Sequence, residues 1–467
     1  MQRLIALLMM AGFASAAASE PPALQDCTLP GLAEPARCGE LRVPENPDRP
    51  AGRKIMIAFA VVPATGGPAL ADPIVPLHGG PGEDVIDAAA EIAERYAALR
   101  ATRDLLLIDQ RGTGRSNALP CRLHDPGNAA PNLQHFLPPA AVAACERELA
   151  VRADLTRYTL LNFAHDLEAV RTALGYRQFN LIAGSYGTRA AQVFMRAYPK
   201  SVRTALLNGA VPMDFVTPLT MARASQEAFE ATFVACEAEA VCRAAYPALR
   251  GDFDAVLARL DAGNVRAAVP GAVDAPLSRG RVVEWLRARL YRPRTGAELP
   301  WLIRRAAEGD YSPIVAGILA HSRNIDEAFA LGVWFSITCS EDIQFLREED
   351  IAPATAGTFL GDYRVREQAI ACRAWPKATM PADYRERLRS DIPTMFVSGD
   401  MDAVTPLWFT ASVAPGFPNR VEVVLRGHGH TEWTDCVDGL YRRFVESGDA
   451  NGIDPACPAT PRPPFRT

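Results

Sequence analysis

FNLIAGSYGT, residues 179–188, is an apolar run that breaks into Ala-Gly-Ser-Tyr-Gly and continues into the alanine-rich RAAQVFMRAY. This layout predicts a strand turning sharply into a helix, with Ser185 lifted above a sheet at the turn. So tight a turn brings backbone against backbone two residues to either side of the serine, and Ala183 and Gly187 are small enough to stand there. Glycine is usual at the first of these positions, so Ala183 is a small departure. Five residues alone carry little weight, but three distant segments supply what a serine nucleophile requires.

On both sides of the turn, short apolar runs alternate with helical ones. IMIAFAVVPA (55–64), PIVPLHGG (73–80), DLLLIDQRGTG (104–114) and VRTALLNGAV (202–211) read as strands, and NFAHDLEAVRTALGY (162–176) as a helix. The expected fold class is α/β, a mostly parallel sheet with helices on both faces. From about 213 to 385 the pattern changes to amphipathic helices such as RVVEWLRARLY (281–291), without regular strands. Strands return in IPTMFVSGD (392–400) and RVEVVLRG (420–427), before a final helix near 436–448. The expected organisation is a core in two parts, 19–212 and 386–467, around a helical cap inserted at 213–385 before the last strands. The tail PATPRPPFRT (458–467) is expected to lie loose.

The chain opens with Arg3, an apolar run LIALLMMAGFA and then Ser-Ala-Ala-Ala-Ser. A charged start, a hydrophobic stretch too short for a bilayer and small residues together predict a signal peptide over 1–18, cut near Ala16 to Ala18. Export to the periplasm or beyond the cell follows, and stable membrane insertion is not expected. Ten cysteines, an even number, fit an oxidising compartment. Their spacing suggests the pairs Cys27 with Cys38, Cys121 with Cys145, Cys236 with Cys242 and Cys436 with Cys457, which leaves Cys339 with Cys372. No C-x-x-C pair occurs, and neither a metal nor a cofactor is expected. The formal net charge of −5 comes without a basic stripe, so no nucleic-acid partner is expected. The expected partner is a small peptide or small-molecule substrate; the oligomeric state stays open.

A serine hydroxyl is a weak nucleophile that needs a base, itself held by a third group. After PTMFVSG come Asp400 and Asp402, and after VEVVL come His428 and His430. All four fall in loops at the carboxyl ends of strands, in the chain order serine, acid, histidine. Asp402 is favoured because Asp400 directly follows its strand and is placed to brace the turn. His430 is favoured because the histidine is expected five residues after Leu425. The oxyanion donors are expected to be the backbone N–H groups of Tyr186 and of Gly80, in the loop His78-Gly79-Gly80-Pro81-Gly82. His78 reads as a loop brace. The Asp and Arg of DQRGTGRS (109–116) are expected to pair and hold that neighbourhood.

HGGPG, DQRGTGRS, DLEAVRTALGY with FNLIAGSYGTRAA, GDMDAVTP, and GHGH followed by a cysteine together resemble the proline iminopeptidase and tripeptidyl aminopeptidase branch of the α/β-hydrolases, in its exported bacterial form. The resemblance implies an α/β-hydrolase core with a helical cap, a triad of Ser185, Asp402 and His430, and hydrolysis of peptide bonds near a free N-terminus. It departs at Ala183, at Ala403 where proline is common, and at Asn208 where an aspartate often stands. Relatives carry an acid just after a cysteine in the return from cap to core, which makes Glu341 and Asp342 the candidates for binding the substrate amine. An esterase or small-molecule amidase would use the same triad beneath a different cap. A non-catalytic binding protein on this scaffold is the remaining alternative.

Overall fold

The computed structural model describes residues 22–467, so the signal peptide expected over 1–18 lies outside the described residues. The strands are β1 (Gln25–Cys27), β2 (Ala36–Pro44), β3 (Lys54–Val62), β4 (Ile74–Leu77), β5 (Leu105–Ile108), β6 (Phe179–Gly184) and β7 (Val202–Asn208). They continue with β8 (Arg266–Val269), β9 (Ala272–Pro276), β10 (Thr394–Gly399) and β11 (Arg420–Leu425). All but β8 and β9 join one sheet in the order β1-β2-β3-β5-β4-β6-β7-β10-β11. The first four of these pair antiparallel and the remainder parallel.

The central parallel strands are nearly continuous in apolar residues because both faces are covered, whereas the edge strand β11 alternates exposed with buried residues. β4, β5 and β10 are buried along their whole length. One face carries the helices Leu160–Ala173 and Gly187–Ala197, whose Phe163, Leu167, Val193 and Phe194 pack on Leu181 and Leu207. The other face packs Ile92, Tyr441 and Phe444 against Leu107, Leu206 and Val397. Gly187 opens its helix directly against the end of β4: a Cβ there would stand 2.2 Å from the Leu77 carbonyl oxygen.

Between β7 and β10 the chain leaves the sheet and forms a helical body with its own core. Phe229, Phe233, Phe253 and Phe359 cluster at its centre, with ring centroids as close as 4.4 Å. This stretch is not without strands, as expected, but holds the antiparallel hairpin of β8 and β9. Its RAAVPGAVDAP is short and mostly exposed, so no apolar alternation marks it. The tail also differs from the expectation of looseness. Phe465 is buried, Arg466 N–H donates to the Ala297 carbonyl at 3.1 Å, and the Thr460 N–H donates to Arg426 at 2.9 Å. A proline-rich segment has no period to read, yet one aromatic anchor and three backbone contacts hold it.

Five disulfides join Cys27–Cys38, Cys121–Cys145, Cys236–Cys242, Cys339–Cys372 and Cys436–Cys457. No helix among the described residues is long and apolar enough to cross a membrane.

Candidate active site

β4, β6, β7, β10 and β11 run parallel, so the loops after them open on one edge of the sheet. That edge gathers the glycine loop after β4, Ser185 after β6, Asp402 after β10 and His430 after β11.

Ser185 has φ +53°, a left-handed conformation that a residue with a Cβ adopts only under constraint. The constraint is visible. Its N–H donates to the Asn208 carbonyl at 2.9 Å, and its own carbonyl accepts from the Thr188 hydroxyl at 2.6 Å. Asn208 also donates from its side chain to the Glu432 carbonyl at 3.2 Å, tying the serine turn to the histidine loop.

His430 Nε2 lies 2.9 Å from Ser185 Oγ, and its Nδ1 lies 2.9 Å from Asp402 Oδ2. The Asp402 Oδ1 accepts the N–H groups of Val404 and Thr405 at 2.7 and 2.8 Å, and Oδ2 accepts the Thr405 hydroxyl at 2.7 Å. Burial by itself would raise the Asp402 carboxyl, but His430 and these hydrogen bonds outweigh it and hold the group below its ordinary value. An ionised acid facing Nδ1 favours the tautomer whose Nε2 is free to accept a proton from the serine.

The neighbouring acid and histidine are engaged elsewhere. Asp400 Oδ1 accepts the Gly427 N–H at 2.7 Å, bracing the loops after β10 and β11. His428 is held between Glu432 and the Thr460 hydroxyl, each at 2.8 Å. His78 Nδ1 lies 2.9 Å from the Asp84 carbonyl oxygen and braces its loop.

In the glycine loop the Gly79 N–H donates to Glu83 at 3.0 Å. Neither the Gly80 nor the Tyr186 N–H has a partner among the described residues. Gly80 sits at φ +104°, a conformation closed to most side chains. The expected pairing within DQRGTGRS takes a different form. Asp109 accepts the N–H groups of Val85, Ile86 and Arg115, whereas Arg111 reaches Asp166 at 2.6 and 2.7 Å. A fully buried guanidinium needs a carboxylate in matching fork geometry, and Asp166 on the helix Leu160–Ala173 supplies it.

Ser185 and His430 open into a cavity of 830 Å³ whose far walls belong to the helical insertion, with Phe136, Trp285 and Trp334 among its lining. Glu341 and Asp342 lie on one buried turn but play different parts. Asp342 lines the cavity; its Oδ1 takes Arg189 at 3.0 Å and the Thr217 N–H at 2.9 Å, and Oδ2 has no partner among the described residues. Glu341 lies behind the wall, accepting the Leu160 N–H at 2.8 Å and the Tyr384 hydroxyl. Burial pushes its carboxyl up to about 7.

Sequence reasoning missed Tyr291 and Arg292. The Tyr291 carbonyl accepts the His430 N–H, and Arg292 Nη1 donates to the His430 carbonyl, each at 2.9 Å. The first contact joins two backbones distant in the chain and the second an arginine side chain to a backbone carbonyl, so no pairing of side chains announces either. Among the described residues, no group of three or more His, Cys, Asp or Glu is placed to hold a metal ion.

Residues 72–260 match the family described as alpha/beta hydrolase fold, and residues 357–457 match the family described as TAP-like protein. A serine protease, Hip1, of Mycobacterium bovis is 31% identical over 224 residues, covering 44% of this chain and 42% of that protein. A tripeptidyl aminopeptidase of Streptomyces lividans is 28% identical over 207 residues, covering 40% and 38% of the two chains. The chain thus spans well under half the length of these relatives. A solved proline iminopeptidase of Mycobacterium smegmatis aligns over 88% of this chain and 98% of its own at 17% identity, with a TM-score of 0.42.

Proposed function

From the premise that this chain belongs to the α/β-hydrolases and is a serine hydrolase, we propose that it is an exported aminopeptidase acting near the free N-terminus of short peptides. The observation that carries the reading is the continuous hydrogen-bonded line from Asp402 through His430 to Ser185, opening into a cavity roofed by the helical insertion.

His430 Nε2 takes the Ser185 proton as Oγ attacks the substrate carbonyl, and Asp402 holds the imidazole and stabilises its charged form. The oxyanion is received by the N–H groups of Gly80 and Tyr186, both without other partners among the described residues. His430 then protonates the leaving amine, and water releases the acyl group from Ser185. The insertion between β7 and β10 acts as the cap that selects substrate. Asp342 offers its unengaged oxygen to the substrate's ammonium, with Glu341 as the buried acid behind it. Five disulfides and the apolar N-terminal stretch support export.

The test is chromophore release from free-amine prolyl, alanyl and tripeptidyl anilides, their N-blocked forms and nitrophenyl esters, with Ser185→Ala as control. Serine-dependent turnover of free-amine anilides, lost on blocking, is the expected result. Asp342→Asn should collapse the ratio between free and blocked substrates. Turnover of esters alone would favour an esterase, which would use the same triad beneath a different cap.

A further inference from the structure

The cavity wall formed by the insertion carries more buried positive charge than the protein neutralises. Arg281 and Arg287 lie on the helix Arg279–Arg289, Arg364 lies on Tyr363–Ala374, and all three are buried. Arg287 and Arg364 share one fully buried carboxylate, Glu284, which accepts from Arg287 Nη2 at 2.8 Å and from Arg364 Nη1 at 2.5 Å, whereas Arg281 donates to the neutral oxygens of the Asn132 carbonyl and the Ser322 hydroxyl. Burial alone would raise the Glu284 carboxyl, but Arg287 and Arg364 hold it down at about 2. The other acid of the cluster, Glu367, is already engaged by the Leu137 N–H and the His135 ring. Burial, reinforced by Arg281, holds the pKa of the nearby His321 down at about 3, so that ring is neutral.

A buried cation without a counter-charge is unfavourable, and here its donors are also left over. Arg287 Nη1 has no hydrogen-bond partner among the described residues. Arg364 uses Nε on Gln368 and Nη1 on Glu284, and its Nη2 has no partner among the described residues. Arg287 and Arg364 line the same cavity as Ser185. Aromatic rings hold both guanidinium planes: Arg364 lies 4.2 Å from the Phe136 centroid and Arg287 lies 5.4 Å from that of Tyr291.

Tyr291 also fixes the distance scale, because its ring meets the His430 ring edge-on at 5.4 Å. Arg287 is therefore one aromatic ring removed from the imidazole. An extended residue covers at most about 3.6 Å, so a group seated on Arg287 belongs to a substrate within roughly three residues of the reacting carbonyl.

We propose that Arg287 and Arg364 form a subsite for a substrate carboxylate, carried at the C-terminus of a short peptide or on an acidic side chain. The proposal rests on the peptidase reading and gives it a substrate class. With Asp342 on the same cavity for the ammonium, the site complements a short zwitterionic peptide.

Calorimetric titration of the Ser185→Ala protein measures binding without turnover. The ligands are trialanine as the free acid, trialanine amide, and the amide carrying glutamate at its third position. The free acid or the glutamyl amide should bind at least about tenfold tighter than trialanine amide, and which one does so names the source of the carboxylate. Arg364→Gln in the same background should remove the preference. Glu284→Gln, which adds net positive charge to the wall, should enlarge it, an effect that a purely structural role does not produce. Equal affinity for all three ligands, or no binding of any, overturns the subsite. A retained preference in a protein whose wild type hydrolyses none of these peptides overturns the peptidase reading and leaves the subsite standing.

Discussion

The backbone N–H of His430 donates to the carbonyl of Tyr291 across 2.9 Å, so the loop bearing the imidazole is held by the helical insertion as well as by the sheet. Gly429 makes that approach possible. A Cβ at this position would lie 2.4 Å from the Tyr291 oxygen and 2.9 Å from Pro293 Cδ. Insertion and imidazole are thereby mechanically linked.

Gly429→Ala is the direct probe of this link. Forcing backbone apart should cost about 1–3 kcal/mol and lower kcat at least tenfold by displacing His430, with helical content unchanged. Gly439→Ala is the control, since a Cβ there meets only Arg443 Nη1 at 3.8 Å. It lies inside the helix Asp435–Ser447 and should gain up to about 1 kcal/mol. Thermal denaturation and steady-state kinetics on both proteins suffice. Equal kinetics in the two would show that the insertion does not position the histidine.

The two aspartates after β10 make opposite predictions. Asp402→Asn should lower kcat by roughly 10³–10⁴-fold, because an amide facing Nδ1 favours the wrong tautomer. Asp400→Asn keeps an oxygen that accepts the Gly427 N–H but loses the charge that strengthens the bond, and should cost up to about 1 kcal/mol of stability with kcat within about tenfold. The Asp402 carboxyl is held below its ordinary value in the folded protein, so its contribution to stability is present above the unfolded value and lost as pH falls through the folded one. Asp402→Asn should therefore also make acid unfolding shallower. A larger kinetic effect from Asp400→Asn would reassign the acid.

Ser185, Asp402 and His430 are legible in the sequence because each follows an apolar strand run, and parallel strands bring such ends together wherever they fall in the chain. The choice of Asp402 over Asp400 is legible for a related reason: the residue immediately after a strand is tied to the neighbouring loop, as the Asp400–Gly427 bond illustrates. Contacts between backbones of distant segments are not legible. The Tyr291–His430 bond uses no side chain of Tyr291, and the hairpin of β8 and β9 and the anchored tail leave no periodic trace. Arg111 is a different case. Its partner is a carboxylate 55 positions away, on a helix whose own pattern is satisfied without it.

Cys339–Cys372 fastens the turn that carries Glu341 and Asp342 to the helix that carries Arg364. It closes a separation of 33 residues, for which the loop-entropy account gives about 3–4 kcal/mol. The separation of 6 between Cys236 and Cys242 gives about 2 kcal/mol. Replacing the first pair by alanine should lower Tm more than replacing the second. It should also raise KM, because both charged walls of the cavity hang from it. Matched changes in Tm with no difference in KM would make the bond a stabiliser only.

Glu341 predicts an uncommon dependence of stability on pH. Burial raises its carboxyl to about 7 in the folded protein, against 4.5 as the ordinary value. Between those values the folded protein binds a proton that the unfolded chain has lost. Its contribution to stability is then fully present below the unfolded value and disappears as pH rises through the folded one. Glutamine preserves both hydrogen bonds, accepting the Leu160 N–H through its oxygen and donating to the Tyr384 oxygen through its nitrogen. Glu341→Gln should therefore match the wild type near pH 4 and exceed it in Tm near pH 8, by about 1 °C for each kcal/mol recovered in a chain of this length. Tm measured at half-unit steps from pH 4 to 8 checks this. Parallel Tm curves for the two proteins would mean that Glu341 stays ionised in the fold, held by Arg189 and Leu160 more strongly than burial opposes it.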